Sequence, residues 1–238
     1  MSVNMLSVLL LIWILGVTVL FTLFISFIFL IESLVRLSTP VPYAAMKLWA
    51  KYSLLFHKVE VIGKDYILKN EPQIIYSNHQ GNMDILLATH ALDIHFAWFA
   101  KQSLFRIPIF GWLIKKMGFI PVYREDPKKA FQAVSEGINK LKKNISVYIF
   151  PEGTWSNNPK QLLPFKQGFY ALAIKSKAPI LPVTILGSHE VNPPDTFKIC
   201  LAKLKVIIHP PIYSNDYIDQ EKEVFLDSMK GLIERTIQ

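Results

Sequence analysis

Apolar and polar positions divide the chain into one unbroken apolar run and a long alternating remainder. No charged residue occurs from Met5 to Ile31. At about 1.5 Å rise per residue, such a run exceeds the ~30 Å hydrocarbon core of a bilayer when helical. A secretory signal begins with basic residues and carries an apolar stretch of roughly 7–15 residues. Here no Lys or Arg precedes the run, so it reads as a retained anchor. A hairpin dipping into one leaflet and turning near Gly16 would show the same pattern, and both forms stay open. Pro40 and Pro42 mark its end. A second helix is predicted from Tyr43 to about His57. Lys47, Lys51 and Lys58 share one arc at 3.6 residues per turn, and Trp49, Tyr52 and Phe56 share the opposite one. That suits a helix at the membrane interface, and equally a helix packed on a core.

From Lys58 onward the pattern switches repeatedly between strand and helix periods. Val59 and Val61 predict a short strand. Further strands are predicted at Gln73–Ser77, Phe96–Ala100, Phe119–Tyr123, Ile145–Phe150, Ile180–Ile185 and Lys205–His209. Helices are predicted over Met83–Leu92, Ile107–Met117, about Gly168 onward, and Asp219–Ile237. Asp126 and Pro127 form a strong helix start, a cap residue followed by proline at the first helical position. Ala130, Phe131, Val134, Ile138 and Leu141 then share one face. This alternation predicts an α/β fold: a mostly parallel or mixed central sheet with helices on both faces, plus the N-terminal hydrophobic anchoring helix or hairpin. The division is residues 1–57 as anchor and interfacial helix, and 58–238 as the main domain.

Charge changes the picture more than composition does. Across 238 residues, half of them hydrophobic, the net charge is +8. Between Lys101 and Lys129, Arg106, Lys115, Lys116, Arg124 and Lys128 are also basic, opposed only by Glu125 and Asp126. A basic face beside an anchor suits anionic lipid or a phosphorylated substrate. Nucleic acid is set aside, since no nucleic-acid module is present. Arg36, Lys47, Lys51 and Lys58 follow the apolar run, which places the bulk of the chain on the cytoplasmic side. The single cysteine, Cys200, agrees with a reducing compartment.

The chemistry concentrates at two strand ends. Asn78-His79-Gln80-Gly81-Asn82-Met83-Asp84 lies where an apolar strand meets a helix. His79 and Asp84 would point about 140° apart on a continuous helix. They meet only with His79 in the turn and Asp84 in the first helical turn, and Gly81 and Asn82 tolerate such a turn's backbone angles. A carboxylate on one imidazole nitrogen fixes the tautomer and leaves the other as a base. The plain alternative is a turn histidine and a helix-capping aspartate. Phe150-Pro151-Glu152-Gly153-Thr154-Trp155-Ser156 also follows an apolar strand. His90 and His95 read as structural, His189 and His209 lack carboxylates at telling spacings apart from adjacent Glu190, and no set of converging metal ligands is seen. Ile107 to Leu113 is core or the wall of an acyl tunnel, with a second membrane contact also open. There is no Gly-x-Ser-x-Gly elbow and no phosphate-binding glycine loop.

Four blocks in order resemble the glycerophospholipid acyltransferase family, best known for 1-acylglycerol-3-phosphate acyltransferase. They are Asn78-His79 with Asp84, the stretch Gly118 to Arg124, Phe150 to Thr154, and the Leu181-Pro182-Val183 strand. The resemblance covers roughly Val59 to His209. It implies that His79 takes the proton of a lysophospholipid hydroxyl while Asp84 holds the imidazole. The freed oxygen then attacks the thioester of acyl-CoA or acyl-carrier protein, most simply turning lysophosphatidate into phosphatidate. Backbone amides near the turn would hold the oxyanion, Arg124 and Lys101 the phosphate. Asn78, Glu152, Gly153 and Thr154 would complete the acceptor site. No cofactor, metal or acyl-enzyme is required. The expected setting is a bacterial inner membrane or the endoplasmic reticulum. Two departures matter: Gly81 stands where many members have Ser, and Trp155 where many have Arg. A different lysolipid headgroup, or a non-catalytic lipid binder of the same fold, are the alternatives.

Overall fold

The computed structural model describes residues 5–35, 41–191 and 199–237. Arg36 and Pro40 fall outside them. The apolar run forms one continuous helix, α1 (Met5–Val35), with no hairpin turn at Gly16. It is the one described helix long and apolar enough to cross a membrane. Its outer side chains, among them Leu9, Leu20, Leu23, Phe24 and Phe27, are exposed.

The second helix, α2 (Val41–Ser53), ends four residues earlier than expected, and Lys58 opens β1 (Lys58–Ile62) instead of joining the helix. One face of the helix packs on the domain: Ala45, Met46, Ala50 and Ser53 are buried, while Leu48 and Tyr52 stay exposed. Lys47 donates to the carbonyls of His90 and Leu92 and pairs with Asp93. It thus satisfies carbonyls at the end of α3 (Met83–Ala91), where a cation is also favoured by the helix dipole. Trp49 turns toward α1, where it stacks on Phe21 at 5.6 Å and donates to Thr18 Oγ1 at 3.2 Å. Trp13 of α1 donates to Tyr52 O at 2.9 Å.

Seven strands form one mixed sheet in the order β1-β7-β6-β2-β5-β3-β4. The remaining strands are β2 (Ile74–Ser77), β3 (Phe96–Lys101), β4 (Ile120–Val122), β5 (Ser146–Ile149), β6 (Ile180–Leu186) and β7 (Lys203–Ile208). All neighbours pair in parallel except β6 and β7. The central strands are buried on both faces, so they are continuously apolar, as parallel strands between helical layers must be. Their side chains alternate between two cores. Ile75, Trp98, Tyr148, Leu181 and Val183 pack under α2 and α3. Ile74, Tyr76, Ala97, Val147 and Ile180 pack under α5 (Pro127–Lys142), α6 (Gln167–Ser176) and α8 (Lys222–Ile237). Asp126 caps α5 as expected, accepting from the amides of Lys128 and Lys129 at 3.1 Å each.

The segment after β3 departs from expectation. The predicted helix from Ile107 is shorter: a 3-10 turn covers Gln102–Arg106, and α4 runs only from Phe110 to Lys116. Pro108 and the fold-back at Gly111 explain this. A Cβ on Gly111 would sit 2.3 Å from Phe105 O, so only glycine lets the two arms close. The short helix α7 (Ser188–Val191) carries too few residues to show a period and was not foreseen.

Candidate active site

The turn after β2 is closed by its own side chains. Asp84 Oδ2 accepts from the amides of Gln80 and Gly81 at 2.6 and 3.0 Å, and lies 2.8 Å from His79 Nδ1. The aspartate therefore serves as helix-start carboxylate and as imidazole partner at once. Asn82 has ordinary helical angles, φ −64 and ψ −27, because the carboxylate and not an unusual residue conformation makes the turn. Because the amides of Gln80 and Gly81 are committed to Asp84, they are not free to hold an oxyanion.

His79 is fixed from every side. Its amide donates to Glu152 Oε1 at 2.8 Å, and its carbonyl accepts from Ser156 N at 2.9 Å. Its ring stacks on Phe150 with centroids 3.7 Å apart and planes 10° apart, and Trp155 stands edge-on at 6.0 Å. The second oxygen of Glu152 accepts from Leu163 N at 2.8 Å. Glu152 is fully buried, and burial pushes its carboxyl up to about 7. The two amide hydrogen bonds offset part of that shift, and the nearby charge of Asp84 adds to it.

A cavity of about 520 Å³ opens beside the His79 ring. His79, Asn82, Lys101, Arg124, Thr154 and Trp155 all lie on its wall. Lys101 pairs in register with Val122 across β3 and β4, two residues before Arg124. Both cations thus stand at the carboxyl ends of neighbouring strands, the usual place for ligands in open α/β sheets. The rest of the wall is mostly apolar: Trp98 and Phe99 from β3, Phe110 and Leu113 from α4, and Phe21 with Trp49 from α1 and α2.

Three residues expected at the acceptor site do not line the cavity. Asn78 is fully buried, and its side chain clamps Ile185 of β6, donating to its carbonyl and accepting from its amide at 2.8 Å each. It acts as an extra rung between β2 and β6. Glu152, with both oxygens held by backbone amides, is likewise off the wall. Gly153 supplies a left-handed turn at φ 72 behind Thr154 and is also off the wall. None of His90, His95, His189 and His209 lines the cavity. Among the described residues, no three His, Cys, Asp or Glu side chains are grouped as metal ligands would be.

The sequence did not point to the stacking of Phe150, the clip from Ser156 or the α1 wall. The Phe of the third block was legible only as a strand residue. The wall residues Thr18, Phe21 and Thr22 sit inside an apolar run where nothing marks one face.

An acyltransferase family model matches residues 58–186. The chain is 34% identical over 172 residues to a chloroplastic 1-acyl-sn-glycerol-3-phosphate acyltransferase of Brassica napus, a match covering 71% of this chain and 49% of the relative. It is 32% identical over 154 residues to a 1-acyl-sn-glycerol-3-phosphate acyltransferase of Saccharomyces cerevisiae, covering 64% of this chain and 49% of the relative. The chain spans about half the length of these curated relatives. Its fold matches the crystal structure of a 1-acyl-sn-glycerophosphate acyltransferase from Thermotoga maritima with a TM-score of 0.83 at 26% identity, covering 97% of this chain and 94% of the other.

Proposed function

Because the chain belongs to the glycerophospholipid acyltransferase family, we propose that it moves a fatty acyl group from a thioester to a lysophospholipid hydroxyl, with 1-acyl-sn-glycerol-3-phosphate as acceptor and phosphatidic acid as product. The observation that carries this reading is the His79–Asp84 pair, 2.8 Å apart, on the wall of an apolar cavity that also holds Lys101 and Arg124. Nδ1 is turned to Asp84, so Nε2 is the nitrogen left for the acceptor. It takes the hydroxyl proton as the oxygen attacks the thioester carbonyl. Asp84 stabilises the imidazolium that results. The tetrahedral intermediate collapses with loss of the thiolate, which takes the proton back from His79. Arg124 binds the acceptor phosphate, its fork matching two oxygens, with Lys101 as a second positive charge. Thr154 faces the same space.

The membrane supplies the acceptor. The middle of α1 is packed on α2 and α4 through Trp13, Phe21 and Ile25, leaving its outer stripe for lipid. A helix held along the domain in this way favours embedding beside the membrane surface over an isolated perpendicular span. The cytoplasmic side is favoured by the lysines after α1 and by the lone cysteine.

A second reading changes the headgroup. Trp155 stands against His79 where a cation would add a phosphate contact, so a lysolipid without a phosphomonoester is the competing acceptor. Thiol release from acyl-CoA and from acyl-carrier protein, measured over a panel of lysolipids, decides. Fastest turnover with lysophosphatidate supports the first reading, and equal or faster turnover with a phosphodiester lysolipid replaces it. Lipid binding without thiol release would make the protein a non-catalytic binder.

A further inference from the structure

The connection between β3 and β4 has two faces of opposite use. Its inner face, with Leu104, Phe110, Leu113 and Ile114, lines the cavity. Its outer face exposes Ile107 at 46%, Ile109 at 51% and Trp112 at 40%. The outward aim is built in. Phe110 N donates to Pro108 O at 2.6 Å around Ile109, whose angles are φ 64 and ψ −58. This is a γ-turn of positive φ, a strained form that is rarer still for a β-branched residue. The turn tips Ile109 away from the cavity. Around α4, at 100° per residue, Lys115 and Lys116 lie about 60° and 40° from Trp112, and Ile109 stands just before the helix start. The exposed apolar tip is therefore followed one turn later by two exposed lysines on the same face, and Arg106 precedes it.

An apolar tip with tryptophan, backed by a cationic rim, is the pattern of an element that enters the headgroup and upper acyl region of an anionic bilayer. The location agrees. Leu113 of α4, with Met117 just after the helix, shares an apolar cluster with Ile25 and Ile28 of α1, which sets the tip beside the anchor helix.

We propose that the Ile107–Trp112 tip is a second membrane-insertion element, seated in an anionic phospholipid surface beside the cavity mouth. It rests on the reading of α1 as a membrane anchor. A bilayer at this point lets an acceptor pass from the leaflet to the cavity along α4 without crossing water.

The test uses the full chain with Cys200→Ser as background, which removes its only cysteine. Single cysteines are then introduced by Ile109→Cys, by Leu20→Cys on the outer stripe of α1, and by Ser135→Cys on exposed α5. Each is nitroxide-labelled and placed in vesicles of phosphatidylcholine with phosphatidylglycerol. Depth is read from relaxation by oxygen against a water-soluble nickel chelate. The expected result is a lipid environment at positions 20 and 109, the latter about 5–10 Å below the headgroups, with position 135 in water. Water at 109 with lipid at 20 overturns the insertion and leaves the anchor intact. Water at both overturns the anchor reading itself. Should the first variant fold poorly, Ile107→Cys carries the same label with the same expectations. Removing phosphatidylglycerol should reduce the depth at 109 and not at 20, and an unchanged depth would overturn the role of the cationic rim.

Discussion

Replacing Glu152 with Gln tests how the candidate site is held together. The carboxylate accepts from His79 N and Leu163 N at 2.8 Å each and has no exposure. An amide offers one acceptor oxygen and one NH2, so one of the two backbone N–H groups would face a donor. A buried donor left without a partner costs about 1–3 kcal/mol. The charge acts in the opposite direction. Burial raises this carboxyl from 4.5 to about 7, so between those values the folded protein holds a proton that the unfolded chain has lost. Its contribution to stability is full below about 4.5 and is lost as pH rises through about 7. At 1.36 kcal/mol per tenfold change in proton activity, wild type loses about 2–3 kcal/mol between pH 5 and pH 8 that Glu152→Gln, lacking the titration, does not. Guanidinium unfolding of the detergent-solubilised proteins at several pH values gives the difference directly. At pH 8, turnover of the variant should also fall by about a hundredfold, the scale expected when a catalytic group moves by about 1 Å. A stability difference identical at pH 5 and pH 8, or a variant with full turnover, would refute this account of Glu152.

Three further substitutions probe separate parts. Asp84→Asn should lower kcat by about 10²–10⁴-fold, since it alters both the tautomer of His79 and the closure of the turn; kcat within threefold of wild type would remove Asp84 from the mechanism. Arg124→Ala should raise KM for lysophosphatidate at least tenfold and change thiol release to water little, while a pure kcat effect would place Arg124 elsewhere in the reaction. Phe169→Ala, at a fully buried position under the sheet, should cost about 3–5 kcal/mol in unfolding experiments; a loss below 1 kcal/mol would mean that this core is not packed as described.

The sheet was legible because its strands are apolar on both faces and broken by turn residues, and α5 because Asp126-Pro127 and a clear helical period agree. The boundaries that moved have local causes. At Gly111 the chain closes on Phe105, and after Ser53 the turn of Leu54–His57 frees Lys58 for β1. Around the site, the spacing of His79 and Asp84 was enough to require a turn, and that turn exists. The roles of Asn78 and Glu152 were not legible. Both are polar residues beside a candidate base, and only the bonds to Ile185, His79 and Leu163 show that they brace the backbone. The contribution of α1 to the cavity was hidden for another reason: in a uniformly apolar helix, the face that touches protein and the face left for lipid share one composition.

The most direct measurement is acceptor-dependent thiol release by the purified protein in lipid, compared with His79→Ala. The account predicts release of one thiol per phosphatidate formed in wild type. In the variant it predicts a loss of at least about 10³-fold, with the fold and membrane attachment unchanged. A folded His79→Ala protein that still forms phosphatidate at a comparable rate would contradict it.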